Sequence, residues 1–334
     1  KKNILLVFAL FIGLGVFSQK QKNYNYFGCL VSPGYKSSFL TDMLVDNDEN
    51  VYMVGYENSG GYQTIISKVK NDGSLEWSKI LFNLDKTKNQ SDQKLLLLND
   101  STVLVLGSQY FEYMDDDGYY SYTSKLFLNY VSSKGEILKT KILNSPLDAW
   151  IVPKSICNGP DNTILIAASY YIYDVDSTLQ NMLICLDESG EILWNRSIGI
   201  RDKEDRSPLL AYSENMGIML ASLSQGEDLD YYSLINISSI DNYGNISWSK
   251  QYTFEDTELD YSFHFSLDTA EALFCAVNEY DDYSLFLTFD KEGQIISSKL
   301  RDDPFFEIVR AEGGNFYALN GTYDYFYSLD KLDK

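Results

Sequence analysis

Clusters of aspartate and tyrosine are the residues whose types and spacing best suit binding chemistry in this sequence. The residues that we assign to a ligand-binding surface are Tyr113, Asp115, Asp116, Asp117, Tyr119, Tyr173, Asp174, Asp176, Asp228, Asp230, Tyr231, Tyr280, Asp281 and Asp282. A phenol ring packs on the C–H face of a sugar or on apolar protein surface, while a carboxylate accepts hydrogen bonds. The pattern favours a glycan or protein ligand, with calcium also compatible. The alternative is a set of solvated loops in which tyrosines shield strand ends.

Residues for nucleophilic catalysis are scarce. His264 is the single histidine, so any Ser-His-Asp or Cys-His site would have to use it. Its neighbours Phe263 and Phe265 indicate an ordinary strand residue instead. The four cysteines, Cys29, Cys157, Cys185 and Cys275, are spaced too widely for a metal motif. An oxidising compartment would permit disulfides, and the sequence leaves both their pairing and the free-thiol alternative open.

The sequence contains two groups of carboxylates that could bind a metal ion or act in catalysis. The segment 46–50, Asp-Asn-Asp-Glu-Asn, resembles the start of a calcium loop, but Val51 stands where such a loop needs glycine. A hairpin turn is the alternative that we favour there. A polysaccharide hydrolase or lyase would need two carboxylates about 5–10 Å apart. Asp42 and Asp268 are the nearest candidates, and we expect both to flank turns, so no catalytic residue, metal site or cofactor is assigned.

A sequence motif of the form Gly-x-Ile-x-Trp recurs along the chain, and we expect the strands of this repeat to position the aspartate and tyrosine clusters. The repeat residues are Gly73, Trp77, Gly135, Gly190, Trp194, Gly244, Trp248 and Gly293. The glycines recur at intervals of about 50–60 residues, and each supplies the positive φ of a tight hairpin turn. Two residues on, an aliphatic side chain (Leu75, Ile137, Ile192, Ile246, Ile295) is expected to point inward.

The tryptophan lies two residues beyond that aliphatic side chain, on the same face of the outermost strand. We expect it to fill the gap to the adjacent repeat. Lys139 and Ser297 stand there in copies two and five, which predicts weaker contacts.

Each repeat contains four strand-like segments, which is typical of one blade of a β-propeller. The blades are predicted at 39–82, 91–143, 151–199, 207–254, 261–301 and 306–334. The last copy ends before its fourth strand, and the segment 24–31 is a spare strand able to complete it. The sequence therefore predicts an all-β propeller of four-stranded antiparallel blades, about six in number, or seven or eight if the chain is a piece of a longer protein.

The Asp-Gly-x-Leu-x-Trp phrases resemble the repeats of the quinoprotein-like (PQQ-like) propeller superfamily and of related secreted bacterial propellers. The resemblance covers nearly all of 39–334 and implies the fold. Quinoprotein dehydrogenases of this superfamily hold a quinone and calcium beside a disulfide between neighbouring cysteines. No such cysteine pair is present here, and the calcium ligands and catalytic aspartate have no matching positions. A non-enzymatic outer-membrane assembly lipoprotein of the same superfamily is the better functional analogue.

Composition and charge narrow the partners and the compartment. Aromatic residues make up 15% of the chain, and its net charge is −21. Because of this negative charge, the protein surface repels phosphate backbones and anionic lipid surfaces. Lys1 and Lys2 precede an apolar run over 4–17, which is too short to span about 30 Å of hydrocarbon. This pattern indicates a signal peptide over 1–18, followed by a propeller domain over 19–334 without an integral membrane segment.

These observations predict an exported bacterial protein, placed in the periplasm, at the cell surface or outside the cell. The favoured function is a non-catalytic binding or scaffolding module with a protein or glycan partner and no nucleic acid partner. A propeller hydrolase or lyase acting on polysaccharide is the first alternative, and a quinone-dependent oxidoreductase is the second.

Overall fold

The structure is a computed structural model of the chain. It describes residues 5–10, 15–20, 27–29, 37–58, 62–81, 90–114, 120–143, 149–172, 176–199, 205–225, 232–253, 263–267, 272–278, 283–301, 305–311, 315–321 and 327–332. These residues form antiparallel sheets of three or four strands, and each sheet is built from strands that are consecutive in the chain. Within the described ranges, no helix is long and apolar enough to cross a membrane.

A three-stranded N-terminal sheet and three four-stranded sheets fill the first part of the chain. The N-terminal sheet contains β1 (Leu5–Leu10), β2 (Gly15–Lys20) and β3 (Phe27–Cys29). Sheet I contains β4 (Ser37–Val45), β5 (Val51–Asn58), β6 (Tyr62–Val69) and β7 (Leu75–Ile80). Sheet II contains β8 (Gln90–Asn99), β9 (Thr102–Met114), β10 (Tyr120–Ser132) and β11 (Ile137–Leu143). Sheet III contains β12 (Trp150–Asn158), β13 (Ile164–Ile172), β14 (Asp176–Leu186) and β15 (Ile192–Ile198).

Three further sheets follow the same order. Sheet IV contains β16 (Asp205–Ser213), β17 (Gly217–Gln225), β18 (Tyr232–Ile240) and β19 (Ile246–Thr253). Sheet V contains β20 (Phe263–Leu267), β21 (Ala272–Asn278), β22 (Tyr283–Phe289) and β23 (Ile295–Arg301). Sheet VI contains β24 (Phe305–Ala311), β25 (Asn315–Gly321) and β26 (Tyr327–Leu332). Sheets I to VI follow one another along the chain in the order of the predicted blades.

The chain divides into two compact units. The first is Lys1–Pro153 with Ile172–Val175, and the second is Lys154–Tyr171 with Asp176–Lys334. Sheets I and II belong to the first unit, whereas sheets IV, V and VI and most of sheet III belong to the second.

The segment 24–31 was predicted to complete the last blade. In the structure, Phe27–Cys29 pairs with β2, and its partners are Val16, Phe17 and Ser18. All three partners lie in the segment that the signal-peptide prediction removes. Completion of sheet VI by 24–31 therefore stays a prediction for the processed chain.

Alternate side chains of the central strands pack into cores on opposite faces of the sheet, which explains why these strands are apolar throughout. In β17, Ile218 and Leu220 pack against residues of sheet III, whereas Met219 and Ala221 pack against residues of sheet V. A strand covered on both faces needs apolar residues at every position, because successive side chains point to opposite faces. The sheets therefore stack face to face, with a core between sheets I and II, between III and IV, and between IV and V.

The repeated glycines close the hairpins between the third and fourth strands. Gly73, Gly135, Gly190, Gly244 and Gly293 all have φ between 72° and 91°. Each donates its N–H to the carbonyl three residues earlier, and the fourth strand carries a bulge beside the turn. A left-handed residue next to a bulge is the geometry of a short hairpin loop, and glycine adopts it without a steric cost.

The prediction that the aliphatic residues of the repeat point inward is wrong. The side chains of Leu75, Ile137, Ile192, Ile246 and Ile295 are 38–47% exposed. The prediction that they share a face with the tryptophan is also wrong. Trp77 pairs with Lys68 and Leu75 pairs with Val69, so one extra residue of the last strand turns the two side chains to opposite faces. The tryptophans of sheets III and IV show the same register.

Candidate functional site

The sequence places the predicted ligand-binding residues at the junctions of the second and third strands of sheets II, III, IV and V. Two of them fall within strands, Tyr113 in β9 and Asp176 at the first position of β14. The others lie outside the described residues, namely Asp115, Asp116, Asp117, Tyr119, Tyr173, Asp174, Asp228, Asp230, Tyr231, Tyr280, Asp281 and Asp282. The assignment of this surface therefore stays a prediction.

The strands that flank these loops show a regularity that the sequence analysis did not single out. The third strand begins with a tyrosine in sheets I, II, IV, V and VI, at Tyr62, Tyr120, Tyr232, Tyr283 and Tyr327. Each tyrosine pairs with the last residue of the preceding strand. In an antiparallel sheet, this end is opposite to the end that carries the glycine turns. The tyrosines thus lie at the end of these sheets where the second strand passes into the third.

A groove of about 650 Å³ lies at the other end, between sheets III and IV. It is lined by Pro160, Asp161, Asn162, Thr163, Leu165, Cys185, Asp187, Glu188, Leu193, Trp194, Ile218, Asn242 and Tyr243. The turn after β12, the glycine turn of sheet III and the glycine turn of sheet IV form its rim. This volume lies within the range of about 300–1,000 Å³ that is usual for ligand sites.

The rim of the groove is held by hydrogen bonds within its turns. Asp161 and Asn162 both have positive φ, 54° and 60°, which these two residue types tolerate better than most. The Thr163 N–H donates to the Pro160 carbonyl at 3.0 Å and closes this turn. On the neighbouring turn, Asp187 Oδ1 accepts the Glu191 N–H at 2.8 Å. The carboxylates of the rim therefore project from backbone of defined geometry.

The floor of the groove belongs to the core between sheets III and IV. Leu165, Ile218 and Cys185 are buried there, and Cys157 packs against the same cluster. Burial raises the pKa of the Cys185 thiol, and it raises that of the half-buried Cys157 to about 12. Both cysteines are free thiols. They therefore present neutral, apolar groups at neutral pH.

Trp194 forms one wall of the groove and also connects the two sheets. Its Nε1–H donates to the Asn242 carbonyl at 2.9 Å. Trp77 makes the equivalent bond to the Ser133 carbonyl at 3.0 Å. The prediction that these tryptophans fill the space between repeats is confirmed. In copy two, Lys139 replaces the tryptophan, and its Nζ lies 5.5 Å from the ring centroid of Tyr130 on its own sheet.

Two further positions of the repeat were missed by the sequence analysis. Three residues before the glycine, Asp187, Asp241 and Asp290 each accept the N–H of the residue after the glycine. Six residues after the glycine, every copy carries a cation, at Lys79, Lys141, Arg196, Lys250 and Lys299. Both positions could have been found in the sequence, because each lies at a fixed distance from the repeated glycine.

The cation six residues after the glycine packs against the turn of the next sheet. Cγ of Arg196 would lie 2.9 Å from a Cβ atom placed on Gly244. Hydrogen bonds from Asn245 lower the pKa of Asp241 on that turn, and the charge of Arg196 contributes in the same direction.

Asp42 does not flank a turn, contrary to expectation. It lies within β4 at a bulge and is half-buried. Its Oδ2 accepts the Leu95 N–H of sheet II at 2.7 Å, and its Oδ1 accepts the Met43 N–H at 3.0 Å. Burial raises the pKa of this carboxyl, although the Lys94 charge and the two hydrogen bonds oppose the shift. The residue joins two sheets, and both of its oxygens are engaged with backbone.

The segment 46–50 forms the hairpin turn between β4 and β5. Asp46 Oδ1 accepts the N–H groups of Asp48 and Asn50, and Asp46 Oδ2 lies 3.7 Å from Lys68 Nζ. Burial raises the pKa of the adjacent Tyr52 phenol, over whose ring Lys68 Nζ lies at 5.1 Å. Among the described residues, no three His, Cys, Asp or Glu side chains form a group that could hold a metal ion. Calcium binding stays a prediction.

Comparison with solved structures shows the class of fold. A streptogramin B lyase is 11% identical with a TM-score of 0.54, over 94% of this chain and 86% of that chain. A protein of unknown function from Dyadobacter fermentans is 9% identical with a TM-score of 0.58, over 88% and 94%. A mutant of Synechocystis apocarotenoid oxygenase is 9% identical with a TM-score of 0.54, over 91% and 71%. At these identities the likeness extends to the fold alone.

The four-stranded antiparallel sheets and these neighbours define an all-β protein with the β-propeller fold. No protein-family model matches the chain, and no curated protein sequence matches it. Membership of the quinoprotein-like superfamily stays a prediction from the repeat phrases.

Proposed function

We propose that this protein is an exported, non-catalytic β-propeller that binds a glycan or protein ligand through the loops between the second and third strands. The single observation that carries the proposal is the recurrence of a tyrosine at the first position of the third strand in five sheets. In sheets II, IV and V, the loops that precede these tyrosines contain acidic clusters in the sequence. Recurrence of the same pair of chemistries at the same end of three sheets supports a shared binding surface.

The chemistry of this end suits weak contacts repeated over a broad surface. Tyrosine offers a stiff ring with little rotamer entropy to lose, and carboxylates accept hydrogen bonds from hydroxyl or N–H groups. The hydrolase or lyase alternative would need paired carboxylates. Asp42 engages both of its oxygens with backbone N–H groups, and Asp268 lies outside the described residues.

The test compares two triple variants of the full chain on a glycan array and in a calcium titration followed by thermal melting. Asp115→Asn with Asp116→Asn and Asp117→Asn removes three loop charges. Glu136→Gln with Glu191→Gln and Glu292→Gln removes three exposed charges at the glycine-turn end, and it is the matched control. A ligand at one hundred times its Kd stabilises the folded state by about 2.7 kcal/mol.

We expect a glycan or calcium signal that is lost in the loop variant and kept in the turn variant. A signal that survives in the loop variant would remove this loop from the site. If no glycan or ion binds a cooperatively melting protein, the glycan and calcium arms fail and a protein ligand is the remaining form of the proposal.

A further inference from the structure

The groove between sheets III and IV has an acidic rim. Asp161, Asp187 and Glu188 contribute carboxylates, and none of the described residues that line it is a lysine or an arginine. The nearby Arg196 packs its stem on Gly244 and acts on Asp241 instead. The net charge of the chain, −21, adds to the local field. A cation is therefore the charge that complements this groove.

The floor of the groove restricts the kind of cation. Leu165, Ile218 and the neutral thiol of Cys185 form an apolar surface beneath the carboxylates. A hydrated inorganic cation would leave this surface uncovered. A cation on an apolar stem covers it, because the methylene groups pack on the floor while the charged group stays at the rim.

The wall of the groove favours guanidinium over ammonium. The Trp194 indole is fixed by its hydrogen bond to the Asn242 carbonyl, and the exposed Tyr243 ring follows on the same turn. A planar guanidinium stacks on aromatic rings and forms paired hydrogen bonds with a carboxylate, whereas an ammonium does neither as well. The volume of about 650 Å³ leaves room for the residues that flank an arginine.

We propose that this groove binds an arginine side chain carried by an extended segment of a protein partner. The site is separate from the loop surface of the proposed function, since it lies at the opposite end of the sheets. Either site can be present without the other.

The experiment uses the full chain and three acetylated, amidated pentapeptides, Gly-Ser-X-Ser-Gly, in which X is arginine, lysine or citrulline. Citrulline keeps the shape of arginine and lacks its charge. Binding is followed by isothermal titration and by ligand-observed NMR. The groove variant is Asp161→Asn with Glu188→Gln, since asparagine also adopts a positive φ. Glu136→Gln, an exposed turn carboxylate of sheet II, is the matched control.

We expect saturable binding of the arginine peptide, with the lysine peptide weaker and the citrulline peptide weaker by about tenfold or more. The groove variant weakens the arginine peptide by about tenfold at low salt, and Glu136→Gln leaves it unchanged. Thermal melting checks that both variants are folded.

Three results would overturn the proposal. They are equal binding of the citrulline and arginine peptides, unchanged binding in the folded groove variant, and no saturation by the arginine peptide at about 10 mM. An array glycan that binds wild type and the loop variant but not the groove variant would assign the groove to a glycan instead.

Discussion

Trp194 of sheet III lies against Gly244 of sheet IV so closely that a Cβ atom at position 244 would be 2.6 Å from Cε3 and Cζ3 of the indole. Trp77 and Gly135 repeat this contact between sheets I and II, and Trp248 and Gly293 repeat it between sheets IV and V. The glycine of the repeat is thus required twice, once for the positive φ of its own turn and once for the indole of the preceding sheet.

The first prediction separates these two requirements with a pair of substitutions in sheet IV. Gly217 has φ 75° and nothing within 4 Å of a Cβ atom, whereas Gly244 has φ 82° and the indole in contact. Gly217→Ala should lower the free energy of unfolding by about 1–2 kcal/mol through backbone strain. Gly244→Ala should lower it by about 1–3 kcal/mol more through the clash. Urea denaturation measures both.

A double-mutant cycle tests the cause of the difference. In a Trp194→Ala background, Gly244→Ala should cost no more than Gly217→Ala does. If Gly217→Ala and Gly244→Ala lower the free energy of unfolding equally in the wild-type background, the indole moves away from position 244 without strain.

The second prediction concerns the hydrogen bond of the same indole. Trp194→Phe keeps an aromatic ring and removes the Nε1–H that donates to the Asn242 carbonyl. It should lower the free energy of unfolding by about 1 kcal/mol, since solvent can hydrate this exposed carbonyl. Trp194→Ala should cost about 2–3 kcal/mol because packing is lost as well. If Trp194→Phe and Trp194→Ala unfold at the same urea concentration, the aromatic ring contributes nothing to stability beyond the hydrogen bond of its N–H.

The third prediction is a pH dependence at Asp42. Asp42→Asn should lower the free energy of unfolding by about 1–3 kcal/mol at neutral pH, because an amide nitrogen cannot accept the Leu95 or Met43 N–H. The native pKa of Asp42 lies above the ordinary value of 3.8, so the native state binds this proton more readily than the unfolded state. The stability advantage of wild type over the variant should therefore grow as the pH falls through the native pKa towards 3.8.

The control for Asp42 is a hydrogen bond of the same kind without a titrating group. Ser155 Oγ accepts the Leu210 N–H at 3.0 Å between sheets III and IV. The cost of Ser155→Ala should stay constant over the same pH range. A cost of Asp42→Asn that is equally constant would contradict the raised pKa.

The fourth prediction concerns thiol reactivity. With a pKa of about 12, Cys157 has a thiolate fraction of about one in ten thousand at pH 8. Iodoacetamide should leave the Cys157 and Cys185 peptides unlabelled in the native protein and label both in urea, as read by mass spectrometry. Rapid labelling of Cys157 under native conditions would show that its sulfur reaches solvent.

Local features of the fold could be predicted because they depend on neighbouring residues. Asp-Gly and its equivalents specify a turn, and the glycines of five copies adopt the expected positive φ. The strand-like segments predicted within the repeats form strands as well. The aspartates three residues before the glycine were equally local. They lie one residue outside the repeated motif that begins two residues before each glycine.

The sequence by itself determined the all-β class, the repeat, the turns and the tryptophans that face the adjacent sheet, since backbone dihedrals and turn hydrogen bonds act over short distances. Only the tertiary structure decided which residues meet across sheets. Trp194 and Asn242 are 48 residues apart in the chain, and Asp42 and Leu95 are 53 apart. The groove depends in the same way on how one sheet stacks on the next. That stacking follows from the combined packing of two sheets, which no short stretch of the chain encodes.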